Sequence, residues 1–98
     1  MKLKENSLVV YNFVKEHEAE NITANDIAEA TGLTSRQVNG IITMAFQRHK
    51  EEIDGEKVEV PLMKRVPAEA EQEDGSHKPI KLIQLTDEGR ALEVEPAE

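Results

Sequence analysis

Ile22-Thr23-Ala24-Asn25-Asp26-Ile27-Ala28-Glu29-Ala30-Thr31-Gly32-Leu33-Thr34-Ser35-Arg36-Gln37-Val38 contains two helix starts with a stop between them. Thr23 stands as N-cap with Asp26 three residues on, so each side chain can bond the other's backbone N–H in a variant of the capping box. Ile22 and Ile27 flank that start at the positions of a hydrophobic staple. The arrangement repeats with Thr34 as cap, Gln37 at the third helical position, and Leu33 and Val38 as the staple. Gly32 lies where the first helix must end in the left-handed conformation, which glycine takes without steric cost. These signals predict a short helix over 24–31, a tight turn, and a longer helix over 35–49.

Two helices joined by a glycine turn form a helix-turn-helix. Ala28 is small where the two would cross, and Val38, Ile41, Ile42 and Ala45 face the inside of the second. Upstream, Val10, Phe13, Val14 and His17 recur at helical spacing, predicting a first helix from near Asn6 or Ser7 whose stripe Leu8 and Val9 widen. Downstream, Asp54-Gly55 marks a turn. Val58, Val60, Leu62 and Val66 then alternate with Glu59, Pro61, Met63 and Arg65, the pattern of a half-buried strand, with Pro61 confining it to a sheet edge or a bulge. A second strand is expected over about 80–85. The polar stretch 67–78 between them is expected to be a long, mobile connection rather than a tight hairpin. Thr86 can cap a short last helix, with Asp87 and Glu88 in its first turn. An acidic tail, 93–98, follows.

The 98 residues carry 12 Lys and Arg against 20 Asp and Glu, a net charge of −8, and form one domain over 1–98. No cysteine is present, which removes disulfides, thiolate nucleophiles and cysteine zinc sites and fits a reduced, cytoplasmic setting. The longest apolar run, Leu8 to Tyr11, is far below the ~20 residues that cross a bilayer, so no membrane partner is expected. Three aromatic residues, Tyr11, Phe13 and Phe46, are too few for a base-stacking platform. His17, His49 and His77 lie in separate elements without ligand spacing, and neither a glycine-rich phosphate loop nor a Ser/His/Asp arrangement is present. No metal, no cofactor and no enzymatic activity are therefore expected. The charge is unevenly placed: residues 34–50 hold Arg36, Arg48 and Lys50 and no acid.

Helix, helix-turn-helix and two strands in this order are the layout of a winged helix-turn-helix domain, and the sequence resembles the MarR and PadR type of transcription regulators. Ala28-x3-Gly32-x5-Val38 is similar to their helix-turn-helix signature. Leu85-Thr86-Asp87-Glu88-Gly89-Arg90 resembles the Leu-Thr-x-x-Gly-Arg element that follows their wing. The resemblance implies an α+β, mainly α, fold with a three-helix core, a two-stranded β wing over about 57–85 and a short C-terminal helix. It departs from the family in lacking the long outer helices of the MarR dimer and in an acidic wing tip, Glu69, Glu71, Glu73 and Asp74.

The implied activity is DNA binding and transcription regulation, with the helix at about 35–49 in the major groove of double-stranded DNA. Its outward face would carry Ser35, Arg36, Asn39, Gly40 and Thr43 to the bases. Arginine grips guanine and asparagine grips adenine in bidentate fashion, and Gly40 would let the backbone approach closely. Gln37, Arg48, Lys50, Lys64 and Arg65 are the candidates for phosphate contact. Each has a plainer alternative: Gln37 completes a capping box, Arg48 and Lys50 complement a helix dipole, and Gly40 could serve close packing against the first helix. A homodimer would bring two such helices to two half-sites, with Leu3, Leu8, Val9, Leu92 or Val94 as candidate contacts. The alternative function is an acidic protein-interaction module that binds a basic partner or the transcription machinery.

Overall fold

The computed structural model describes residues 3–92. It is a small α+β domain. Among the described residues it has four α-helices and two antiparallel two-stranded sheets. Helix α1 (Glu5–His17) runs into a 3-10 turn (Glu18–Glu20) and is followed by α2 (Ala24–Thr31) and α3 (Ser35–Ile41). Strands β1 (Lys50–Ile53) and β2 (Glu56–Glu59) form one hairpin, β3 (Met63–Glu71) and β4 (His77–Leu85) a longer ribbon, and α4 (Asp87–Arg90) closes the order. The tail 93–98, including Val94, lies outside the described residues.

Both capping boxes form. Thr23 accepts from the Asp26 N–H while Asp26 accepts from the Thr23 N–H, and Thr34 and Gln37 do the same. Gly32 ends α2 at φ +79°. The stapling residues Ile22, Ile27 and Val38 are buried, and Leu33 packs against them from the edge.

The sequence expectations need four corrections. The buried face of α1 is Ser7, Val10, Tyr11 and Val14, not Val10, Phe13, Val14 and His17. Tyr11 is drawn inward because its hydroxyl donates to the Gly89 carbonyl at 2.7 Å, while Phe13 and His17 stack on each other, ring centres 4.4 Å apart, at the margin. The helix expected over 35–49 is α-helical only to Ile41. It continues as a π-helical segment (Ile42–Gln47), in which the Arg48 N–H reaches back to the Thr43 carbonyl. Arg48 and His49 lie beyond it, and Lys50 opens β1.

The single strand expected across Pro61 is two strands. Val58 belongs to β2 and pairs with Glu51 in a hairpin whose eight strand residues are all exposed. Its charged residues pair across the strands, Lys50 with Glu59 and Glu52 with Lys57. Pro61 lies between β2 and β3. There the Val60 and Leu62 N–H groups bond the His49 and Phe46 carbonyls, which brings the adjacent Leu62 and Met63 both into the core and breaks the alternation.

Finally, 67–78 is not a loose connection. The ribbon pairs without interruption from Met63–Leu85 to Glu71–His77, and the turn is closed by the Gln72 N–H on the Ser76 carbonyl. Pro67 and Pro79 fit inside it for a specific reason. The Ile83 N–H points away from β3, onto the Ile22 carbonyl, so the rung Arg65–Ile83 and the alternate rungs Pro67–Lys81 and Glu69–Pro79 exchange no ladder bonds. Each proline thus removes a donor only from a free edge, which protects the ribbon from pairing with another strand.

The core gathers α1, α2, α3 and the base of the ribbon: Val10, Tyr11 and Val14 meet Ile27, Val38, Ile42, Phe46, Leu62, Met63, Ile83 and Leu85. Leu3 is buried and Leu8 and Leu92 pack against the core, so of the described candidates for a contact between copies only Val9, at 40%, is exposed. No helix among the described residues is long and apolar enough to cross a membrane.

Candidate nucleic-acid interface

The turn at Gly32 sets α3 against α2 so that Val38 and Ile42 point into the core and the opposite side faces outward. Ser35, Arg36, Gln37, Asn39 and Gly40 are exposed, and Thr43 is half-buried. The outward side consists of two stripes at four-residue spacing. One is Ser35, Asn39, Thr43 and Gln47. The other is Arg36, Gly40, Met44 and Arg48.

The first stripe is tied to the ribbon by Arg65 of β3. Its guanidinium donates to Gln47 Oε1, to the Asn39 carbonyl at 3.3 Å, to Asn39 Oδ1 at 3.2 Å and to Thr43 Oγ1 at 3.2 Å. Asn39 in turn donates through Nδ2 to the Ser35 carbonyl at 3.0 Å, and Ser35 Oγ donates to Asn25 Oδ1 at 2.6 Å. Asn39 is therefore held in one orientation while remaining exposed, and one N–H of its amide is still free to donate. Arg65, read from the sequence as a phosphate contact, is here a clamp between β3 and the outward side of α3.

The second stripe borders an open groove of about 1010 Å³ that runs between Leu3–Ser7 and α3. Arg36, Arg48, Lys50 and Lys4 supply four cations to its walls against one acid, Glu5. A Cβ on Gly40 would meet nothing within 4 Å, so close packing against α1 does not explain this glycine. Met44 is 65% exposed and receives the Arg48 Nη1 donor on its sulfur at 3.9 Å. The sequence reading passed over Met44, although its place four residues after Gly40 puts it on the outward side.

The remaining candidates are dispersed. The Gln37 side chain accepts from the Thr34 N–H at 2.9 Å and serves as a cap. Lys64 is exposed on β3 and borders a smaller hollow at the end of the π-helical segment together with Arg48 and Glu59. The acidic ribbon tip is exposed and separate from these cations along the ribbon. At its turn the Ser76 hydroxyl and N–H both donate to Asp74, holding that carboxyl below its usual range. The histidines lie apart, each near surface carboxylates: His17 by Glu20 at 2.5 Å and Glu16 at 3.8 Å, His49 by Glu51 at 3.7 Å and His77 by Glu69 at 3.9 Å. Among the described residues no three His, Asp or Glu side chains gather as a metal site. No protein-family model matches the chain, and no characterised protein or solved structure matches it.

Proposed function

We propose that this protein is a winged helix-turn-helix, DNA-binding transcription regulator that presents the outward side of α3 to the major groove. One observation carries the reading. In a chain of net charge −8, the exposed side of a capped helix that follows a glycine turn is bordered by four cations and one acid. A duplex carries one negative charge per ~1.7 Å, so its phosphates favour that surface and disfavour the rest of the molecule. Arg36 and Asn39 are exposed on the first turns of α3, where base edges are met, and they have the donor and acceptor sets that read guanine and adenine. The β3–β4 ribbon takes the role of the wing, with Lys64 and Arg65 near its base and the acidic tip kept away from phosphate.

Selection from a random duplex library at low salt tests this. A consensus sequence should emerge, and Arg36→Ala should weaken its binding by about 10-fold or more while leaving the thermal unfolding midpoint within error. Failure to select any duplex would overturn the reading.

A second reading has its own support. Glu51, Ile53, Glu56 and Val58 share one face of the β1–β2 hairpin, with Ile53 and Val58 48% and 41% exposed. An apolar pair between carboxylates fits a basic protein partner, and Ile53→Ser with Val58→Ser should abolish such a complex without touching DNA affinity.

A further inference from the structure

Val38, Ile42 and Phe46 are sealed in the core, and Ile41 and Ala45 pack against it. Met44 alone among the large apolar residues of this helical stretch points outward, and at 65% it is the most exposed large hydrophobic side chain of the described residues. Core packing cannot be its reason.

Its neighbours along the stripe are chemically specific. Gly40, one turn before it, leaves bare backbone with open space outside. Arg36 stands two turns before it, and Arg48, four residues after, brings its Nη1 to 3.9 Å of the sulfur. The stripe is thus a flat, unbranched approach between two cations, with one soft, flexible apolar side chain standing in it. The base edges in a major groove offer donors, acceptors and a single apolar feature, the C5-methyl of thymine. Thr43 has a methyl group too, but Thr43 is half-buried and its hydroxyl is engaged by Arg65.

We infer that Met44 is a specificity-determining residue that packs on the 5-methyl group of a thymine in the bound duplex. The inference rests on the nucleic-acid reading of α3. Met44 stands eight positions after Arg36, a rise of at most ~12 Å because the stretch from Ile42 is π-helical, so the thymine lies within about three to four base-pair steps of the base beneath Arg36.

The test uses the full chain and the duplex obtained by selection, with each thymine replaced singly by deoxyuridine, which removes only the methyl group. Burying one methyl corresponds to about a 4-fold change in affinity. One thymine per half-site should show that loss with the native protein. In Met44→Ala the duplex should bind about 4-fold or more weakly, and deoxyuridine at that position should cost nothing further. Met44→Leu should restore the dependence. Binding with no methyl-dependent position, or methyl dependence that persists in Met44→Ala, would overturn the role of Met44 while leaving the reading of α3 standing. Absence of binding to any duplex would overturn both.

Discussion

Tyr11 and Gly89 hold the two ends of the chain together. The Tyr11 hydroxyl donates to the Gly89 carbonyl across 78 residues of sequence, and a Cβ on Gly89 would overlap the backbone carbonyl of Leu62. The glycine of Leu85-Thr86-Asp87-Glu88-Gly89-Arg90 is thus required by the close approach of two backbones. Gly89→Ala should cost about 3 kcal/mol, read as a fall in the thermal midpoint, because a carbonyl cannot rotate away as a side chain can. Arg90 adds ion pairs to Glu18 at 2.8 Å and Asp87 at 3.1 Å on the surface. Tyr11 is the only tyrosine and there is no tryptophan, so near-ultraviolet absorbance follows its ionisation alone. Burial holds its pKa above the ordinary value. A raised pKa means that its contribution to stability is present below the unfolded value of ~10 and is lost as pH rises through the folded value. Alkaline titration should therefore show ionisation above pH ~10 accompanied by unfolding, and Tyr11→Phe should flatten that part of the pH profile.

At the scale of elements, the helices around Gly32 were readable because their determinants are local. A cap, its partner three residues on, and a staple are all contained in one turn. Removing one such cap by Thr34→Ala should lower stability by about 1 kcal/mol in a denaturant titration. Both sheets were harder to read, for different reasons. The β1–β2 hairpin has no buried side, so its first strand leaves no alternation in the sequence; only its turn, Asp54-Gly55, was legible. The ribbon does alternate through Ala68, Glu69, Ala70 and Glu71, but alanine is a weak apolar signal and the length and polarity of 67–78 pointed to a loose connection. The rung geometry that accommodates those prolines depends on the Ile22 carbonyl, far away in sequence. Arg65 shows the same limit at the site: nothing near it in the sequence indicates that it reaches Asn39, Thr43 and Gln47. Glu59 does so in the opposite sense, an acidic residue lining the same hollow as Arg48 and Lys64, where the proposed function needs phosphate. Glu59→Gln should raise duplex affinity about 2- to 5-fold at low salt, measured by fluorescence anisotropy.

Over the whole molecule, charge is sorted by place. The described residues extend 53 × 29 × 22 Å, with the acidic tip at the far end of the ribbon from the core. This sorting was visible in the sequence as a basic segment, 34–50, in an acidic chain. The groove between α1 and α3, which gathers Lys4 with Arg36, Arg48 and Lys50, was not visible, because it is made by packing. Replacing Glu69, Glu71, Glu73 and Asp74 by their amides should leave duplex affinity unchanged or improve it, since a tip that avoids phosphate contributes only repulsion.

The proposed function requires the cations around α3 to meet a phosphate backbone. It is tested most directly by the affinity for the selected duplex measured across a range of salt. Contact through Arg48, Lys50 and Lys64 predicts that log affinity falls against log salt with a slope of about −3 per bound protomer. A slope near zero, or binding that strengthens with salt, would contradict it.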